Sequence, residues 1–96
     1  MTKADIVKNI SDQTGVDKTD VQMIVEKFMD QVRDSIQKNN NVYLRGFGSF
    51  VVKTRAEKTG RNISKNTAVI IPAHNIPAFK PSKTFVKSVK QNVPVS

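Results

Sequence analysis

The chain has 96 residues and no cysteine, which indicates a single domain and excludes disulfides and thiolate metal sites. Its 16 Lys and Arg against 8 Asp and Glu give a net charge of +8, which favours a polyanionic partner: nucleic acid first, an anionic membrane surface second. No apolar run approaches the roughly 20 residues of a membrane span, and the N-terminus lacks the apolar core of a secretory signal, so we expect a cytoplasmic protein.

The first 40 residues predict two amphipathic helices. Thr2 and Asp5 have the spacing of a capping box at the start of the first helix, and Gly15 provides its end. Asp17 is the expected cap of the second helix, whose apolar residues recur every three or four positions. About three residues join the helices, so they form an antiparallel or angled hairpin. This hairpin is a thin core that needs a sheet or a second subunit beneath it.

The rest of the chain predicts strands, a polar arm and a last helix. Residues 42–45 alternate apolar and polar side chains, which indicates a strand, and the turn at 46–48 leads into a second strand. Residues 53–61 are compatible with a strand but have almost nothing to bury, and residues 67–71 return as a strand that Pro72 closes. Such a hairpin is marginal in water by itself, so we expect a partner to order it. A short helix then follows at residues 82–91.

Positive charge is concentrated in the second part of the chain. Residues 1–40 hold six basic and seven acidic side chains, whereas residues 41–96 hold ten basic side chains and one acidic one. Solvated faces usually mix both signs, so this excess favours a phosphate-binding surface. Strand alternation places Lys53 and Arg55 on one face of the arm and Lys58 on the other, unless the arm twists or bulges.

Four short motifs fall in order along the chain: Gly-Phe-Gly-Ser-Phe at 46–50, Gly-Arg-Asn at 60–62, Ile-Pro-Ala at 71–73, and Pro-Ala-Phe-Lys-Pro at 77–81 followed by Lys83. Together they resemble the HU/IHF family of bacterial histone-like proteins, without an apparent gap up to about residue 90. The resemblance covers almost the whole chain, which makes it far more specific than any one motif.

The resemblance implies an α+β fold and an intertwined dimer. Each subunit would have an N-terminal helical hairpin, a three-stranded antiparallel sheet extended into a β-ribbon arm, and a short C-terminal helix. HU and IHF are themselves well-known minor-groove architectural proteins, and their arms wrap the duplex. The implied single domain, residues 1–96, divides into a helical dimerisation part (1–40), a saddle (41–52 and 73–81), a DNA-binding arm (53–76) and the C-terminal helix (82–91).

The sequence departs from the family pattern at three positions. Ile63 stands where the family usually has the proline that wedges between base pairs at the arm tip. Isoleucine is also used as an apolar wedge, so kinking of DNA can persist without the rigid ring. Asn66 and Ser82 stand where glycine is common, and asparagine tolerates the left-handed backbone that the tip requires.

These considerations define two sets of candidate residues. The expected partner is double-stranded DNA, with bent or nicked duplexes preferred, bound by a homodimer, although a heterodimer stays open. The candidate DNA-binding residues are Lys3, Lys53, Arg55, Lys58, Arg61, Asn62, Ile63, Lys65, Lys80, Lys83 and Lys87. The candidate dimer core consists of Phe28, Val32, Leu44, Phe47, Phe50 and Phe79, whose alternating or helical spacing favours burial over base stacking.

Other classes of function are less well supported by the residues. His74, the only histidine, is expected in a solvated loop, and with no cysteine we expect neither a metal nor a cofactor. No catalytic constellation is present, so an enzyme is not expected. The open alternatives are an RNA- or single-strand-binding module, a site-specific subunit of the integration-host-factor type, and, last, a membrane-surface role. That last role would need a basic amphipathic helix, whereas both N-terminal helices have mixed charge.

Overall fold

The computed structural model describes residues 1–62 and 67–95, with Arg61 and Asn62 described in their backbone only, so the predictions on Ile63, Lys65 and Asn66 lie outside the described residues. The architecture is α+β, as predicted, with two N-terminal helices, antiparallel strands and a C-terminal helix. In chain order the elements are α1 (Lys3–Thr14), α2 (Lys18–Gln37), β1 (Val42–Leu44), β2 (Gly48–Arg55), β3 (Lys58–Asn62), β4 (Thr67–Ile71), β5 (His74–Pro81) and α3 (Lys83–Asn92).

Helix α1 has the predicted signals at both ends. The Asp5 backbone N–H donates to the Thr2 hydroxyl at 3.3 Å, and the Thr2 backbone N–H donates to the Asp5 carboxylate at 2.9 Å. This reciprocal capping box satisfies two N–H groups that the helix itself leaves unpaired. At the other end Gly15 adopts a left-handed conformation with φ 76°, which a side chain would strain.

The cap predicted for α2 is only partly correct. Asp17 occupies the N-cap position, but its side chain makes no capping hydrogen bond. Only its backbone carbonyl takes part, as it accepts from the Val21 N–H at 3.0 Å. Because Asp17 is exposed, its carboxylate can stay hydrated. Together with Asp20 in the first turn, it supports the helix through the positive end of the helix dipole instead.

The strands form two antiparallel ladders that follow one another along the chain. The first has the order β1-β2-β5, and the second pairs β3 with β4. The β2–β5 ladder ends at the pair Arg55 and His74, and the β3–β4 ladder begins at the pair Lys58 and Ile71. Between the two ladders the chain leaves two residues unpaired on each side: residues 56–57 separate β2 from β3, and residues 72–73 separate β4 from β5. Pro72 is one of them, and it has no backbone N–H with which to continue the pairing.

Close packing of the sheet against its turn depends on Gly48. This buried residue pairs with Pro81 across the β2–β5 ladder. A Cβ atom there would lie 2.6 Å from both the Lys80 carbonyl oxygen and the Phe79 ring. The motif Gly-Phe-Gly at 46–48 therefore reflects close approach as well as a turn, and this brings Phe47 beside Phe79, with ring centroids 5.1 Å apart.

Very little of the single chain is buried. Among the described residues only Val7 and Val21 count as buried apolar side chains, whereas Phe28, Phe47 and Phe79 are 45%, 47% and 38% exposed. The accessible surface is 8325 Å², against roughly 5,500 Å² for a compact monomer of this mass. Three of the four phenylalanines that were predicted as core are therefore only partly covered in one protomer.

An apolar groove lies between α2 and the sheet. Its volume is about 770 Å³, and its walls combine one face of the helix with the inner face of β2 and β5. The apolar lining residues are Phe28, Met29, Val32, Ile36, Phe50, Val52, Ile76 and Pro77. Three of the six predicted dimer-core residues thus border one open groove.

Candidate nucleic-acid interface

Ion pairing divides the chain into two electrostatic parts. The three ion pairs among the described residues all lie in the helices: Lys3 with Glu26 at 2.9 Å, Lys8 with Asp12 at 2.9 Å, and Arg33 with Asp30 at 3.5 Å. Among the residues whose side chains the structure describes, the cations of β2, of β5 and of α3, together with Lys58 of β3, form none. The second part of the chain therefore keeps its positive charge available to an anion from outside.

Among the predicted DNA contacts whose side chains the structure describes, Lys3 is the one that already has an acidic partner. Its ammonium donates to the Glu26 carboxylate across the α1–α2 hairpin. This hydrogen bond, with a second from Gln22, lowers the pKa of Glu26. Lys3 thus contributes to holding α1 against α2, and any contact with a phosphate would have to compete with Glu26.

Three of the predicted arm cations converge where the arm begins. Lys53 and Arg55 from β2 and Lys58 from β3 border one cavity of about 360 Å³. Regular alternation would have placed Lys58 on the opposite face. Both strands are interrupted, at residues 56–57 and 72–73, so the alternation along β2 does not extend to Lys58 on β3.

The outer part of the arm is a two-stranded ribbon. Arg61 and Asn62 end β3 and pair with Ala68 and Thr67 of β4. On β4, Val69, Ile70 and Ile71 are 43%, 64% and 43% exposed, so the described ribbon covers none of them fully. The ribbon projects far enough that the Cα radius of gyration is 18.9 Å, against about 12–13 Å for a compact chain of this length.

A second basic surface joins the turn of the sheet to α3. Lys80 and Lys83 border a cavity of about 530 Å³ together with Arg45, which the sequence pattern had not singled out. The Ser82 hydroxyl holds this junction together: it donates to the Gly46 carbonyl and accepts from the Phe85 N–H, both at 3.2 Å. Ser82 therefore caps α3 with a side-chain hydrogen bond that a glycine could not make.

One face of α3 continues this surface. Lys83, Lys87 and Lys90 border a shared cavity of about 320 Å³ with Val86. Lys90 was not among the candidates either. The sequence contains a signal for both residues that the candidate set left out. Arg45 occupies a polar position of an alternating strand, and Lys90 lies three residues after Lys87 on a helix.

His74 was predicted in a loop, but it is the first residue of β5. Pairing with Arg55 extends the β2–β5 ladder farther than turn residues alone suggested. In the described part of the chain, no cluster of three or more His, Asp or Glu could hold a metal ion. No helix among those residues is long and apolar enough to cross a membrane.

Comparison with known proteins gives consistent matches. The family described as bacterial DNA-binding protein matches residues 1–90. The DNA-binding protein HU of Geobacillus stearothermophilus is 34% identical over 90 residues, which cover 94% of this chain and 100% of that protein. The integration host factor subunit alpha of Idiomarina loihiensis is 32% identical over 94 residues, covering 98% and 96%.

A solved structure matches the whole architecture. HU of Anabaena, in a cocrystal structure with DNA, superposes with a TM-score of 0.89 at 29% identity, covering 94% of this chain and 98% of that one. The agreement extends over the helical hairpin, the strands and the C-terminal helix.

Proposed function

Because the chain belongs to the HU/IHF family of bacterial DNA-binding proteins, we propose that it is an architectural protein that bends and compacts double-stranded DNA, largely without sequence preference. The observation that carries this proposal is the basic ribbon, which projects from the body and at whose base the described cations Lys53, Arg55 and Lys58 have no acidic partners. Phosphates are the partners that such a ribbon lacks. The family is one of DNA-binding proteins, and no catalytic step is part of the proposal.

The proposed site divides between the arm and the body. The arm contacts the minor groove through the basic residues at its base and farther along β3, and the body holds flanking phosphates through the surface around α3. The arm set is Lys53, Arg55, Lys58, Arg61, Asn62, Ile63 and Lys65, and the body set is Lys80, Lys83 and Lys87 with Lys3, to which we add Arg45 and Lys90.

We propose that the active species is a dimer with two arms. The 770 Å³ groove between α2 and the sheet is mostly apolar and open, and the exposed phenylalanines border it or lie close by. A second subunit is the natural cover for such a surface, since obligate dimer interfaces resemble a domain core that has been divided. We therefore propose the same division of the domain as the sequence suggested: residues 1–40 serve dimerisation, and residues 53–76 form the DNA-binding arm. We place the protein in the bacterial nucleoid.

Binding to duplex DNA should depend on salt according to the number of cations that meet phosphates. Removing one such cation should reduce the slope of log K against log salt by about 0.9. Lys58→Ala should therefore flatten the slope, measured by fluorescence anisotropy on linear duplex. Lys8→Ala is the matched control, because Lys8 is paired with Asp12 and lies on α1. Equal slopes for both variants and the unmodified protein would argue against the assigned surface.

The same titration separates the alternatives. Linear, nicked and pre-bent duplexes are compared with double-stranded RNA and single-stranded DNA as competitors. An architectural protein should favour the pre-bent and nicked duplexes, since part of the bending free energy is then already supplied. Preference for RNA or single strands would favour the binding-module alternative. A large preference for one duplex sequence would favour a site-specific subunit of the integration-host-factor type.

Ile63 is proposed as the wedge that keeps the duplex kinked. This assignment rests on the sequence: an isoleucine follows Gly-Arg-Asn at the family's proline position. Ile63→Ala should reduce the bend angle, measured by fluorescence energy transfer between duplex ends, because it removes the apolar group that offsets unstacking. The salt slope should stay the same, since no charge changes. A bend angle equal to that of the unmodified protein would reject the wedge.

A further inference from the structure

The base of the arm contains a titratable group to which the DNA-binding assignment gives no role. His74 begins β5 directly opposite Arg55 on β2. Its ring Nδ1 lies 2.9 Å from the Pro72 carbonyl oxygen. A carbonyl oxygen only accepts, so Nδ1 carries the hydrogen and donates it, and Nε2 of the neutral ring is left as an acceptor. The ring is thereby fixed in one tautomer with a single free polar atom.

The surroundings of His74 are cationic. The cavity of about 360 Å³ that it borders is also lined by Lys53 and Arg55 from β2 and by Lys58 from β3. These are the charged residues of its lining, whose other members are Thr54, Ala56 and Ile71. Glu57, the only acidic residue after residue 40, is absent from this lining. The cavity thus combines three basic residues and one histidine with no acidic residue, which is the composition of an anion site.

We propose that these four side chains form an arm-base pocket (Lys53, Arg55, Lys58 and His74) that binds one backbone phosphodiester of duplex DNA, and that this contact strengthens when His74 is protonated. The proposal rests on the DNA-binding function proposed above. Neutral His74 presents a lone pair at Nε2 to the phosphate, whereas the imidazolium presents an N–H donor and a positive charge. Histidine is the side chain whose charge ordinarily changes between pH 5 and 8, while lysine and arginine stay charged.

The physical consequence is a coupling between DNA binding and proton uptake. A phosphate bound beside His74 would favour the imidazolium over the neutral ring, because an opposite charge at close range stabilises the charged form. DNA should therefore bind together with a proton near neutral pH and without one at higher pH.

The test measures affinity for linear duplex DNA at pH 6 and pH 8 at constant ionic strength, with the full-length protein and His74→Asn. The unmodified protein should bind roughly threefold to tenfold more tightly at pH 6, and its salt slope should be steeper there by about 0.9 for each pocket engaged. His74→Asn should lose most of the pH dependence, so that its affinities at pH 6 and pH 8 differ little. The remainder reflects the α-amino group, which also titrates in this range.

A second variant supplies a fixed charge. His74→Lys should show the steep salt slope at both pH values, because its cation does not depend on protonation in this range. Circular dichroism of all three proteins verifies that they are folded at both pH values. Equal pH dependence in the unmodified protein and His74→Asn, or none in the unmodified protein, would overturn the pocket while leaving DNA binding intact. Failure of the unmodified protein to bind duplex at either pH would instead overturn the proposed function.

Discussion

Replacing residues 56–73 by the dipeptide Asn-Gly is expected to abolish DNA bending and to weaken duplex binding by at least roughly 100-fold at about 0.1 M salt. The design uses the structure directly, because Arg55 and His74 are paired in the β2–β5 ladder. A two-residue Asn-Gly turn closes such a pair in the type I′ geometry that hairpins prefer. The variant therefore keeps the sheet intact while it removes the ribbon.

The expected decrease in affinity follows from the charges removed. The deleted segment contains Lys58, Arg61 and Lys65 with one acid, Glu57. Three phosphate contacts per subunit correspond to about 2.7 in the salt slope, and the wedge at Ile63 is removed with them. Gel mobility on a bent-duplex probe measures the decrease in affinity, and energy transfer between duplex ends measures the loss of bending.

A control with the same change in net charge tests position against charge. The arm replacement removes three basic residues and one acidic residue, so it lowers the net charge by two. Lys27→Gln combined with Lys38→Gln lowers it equally, but on α2 and at its C-terminal cap. This double variant should bind and bend DNA almost normally. If the arm replacement still bent duplex with unchanged affinity, the ribbon would not be the DNA-binding element.

Placing a charge in the groove between α2 and the sheet is expected to abolish the folded dimer. Phe28 and Val32 line this groove from α2, and Phe28 is 45% exposed in the single chain. If a second subunit covers them, Phe28→Asp or Val32→Asp buries an unpaired carboxylate, which costs several kcal/mol. The dimer dissociation constant should rise by a factor of roughly 100 or more, and because the protomer buries so little by itself, unfolding should accompany dissociation.

At low micromolar concentration, sedimentation measures the dissociation of the dimer and circular dichroism measures the accompanying unfolding. Ile70→Asp is the matched control, since Ile70 is also apolar and 64% exposed but lies on the arm. It should leave both the sedimentation coefficient and the helical signal unchanged. A folded monomer of Phe28→Asp, or of the unmodified protein, would contradict the idea that the protomer depends on its partner. For the unmodified protein, the melting temperature should also rise with protein concentration.

Local patterns were enough to predict most of the elements. The capping box of Thr2 and Asp5, the end of α1 at Gly15 and the alternation in β1 depend on residues two to four positions apart, where sequence spacing determines which groups meet. The net charge of the second part of the chain is also a property of composition. For this reason the helical hairpin, the basic arm and the C-terminal helix were all predictable, and the ordered motifs indicated the family.

Only the tertiary structure decided which distant groups meet. Lys3 reaches Glu26 because α1 packs on α2, and Lys58 of β3 borders the same cavity as Lys53 and Arg55 of β2, next to the break between the ladders at residues 56–57 and 72–73. Periodicity assumes that a strand continues regularly, so it does not predict where Pro72 interrupts the hydrogen bonding. Sequence by itself thus determined the elements and their charge, whereas the interruption of the ladder and the packing of the helices determined how those charges are grouped.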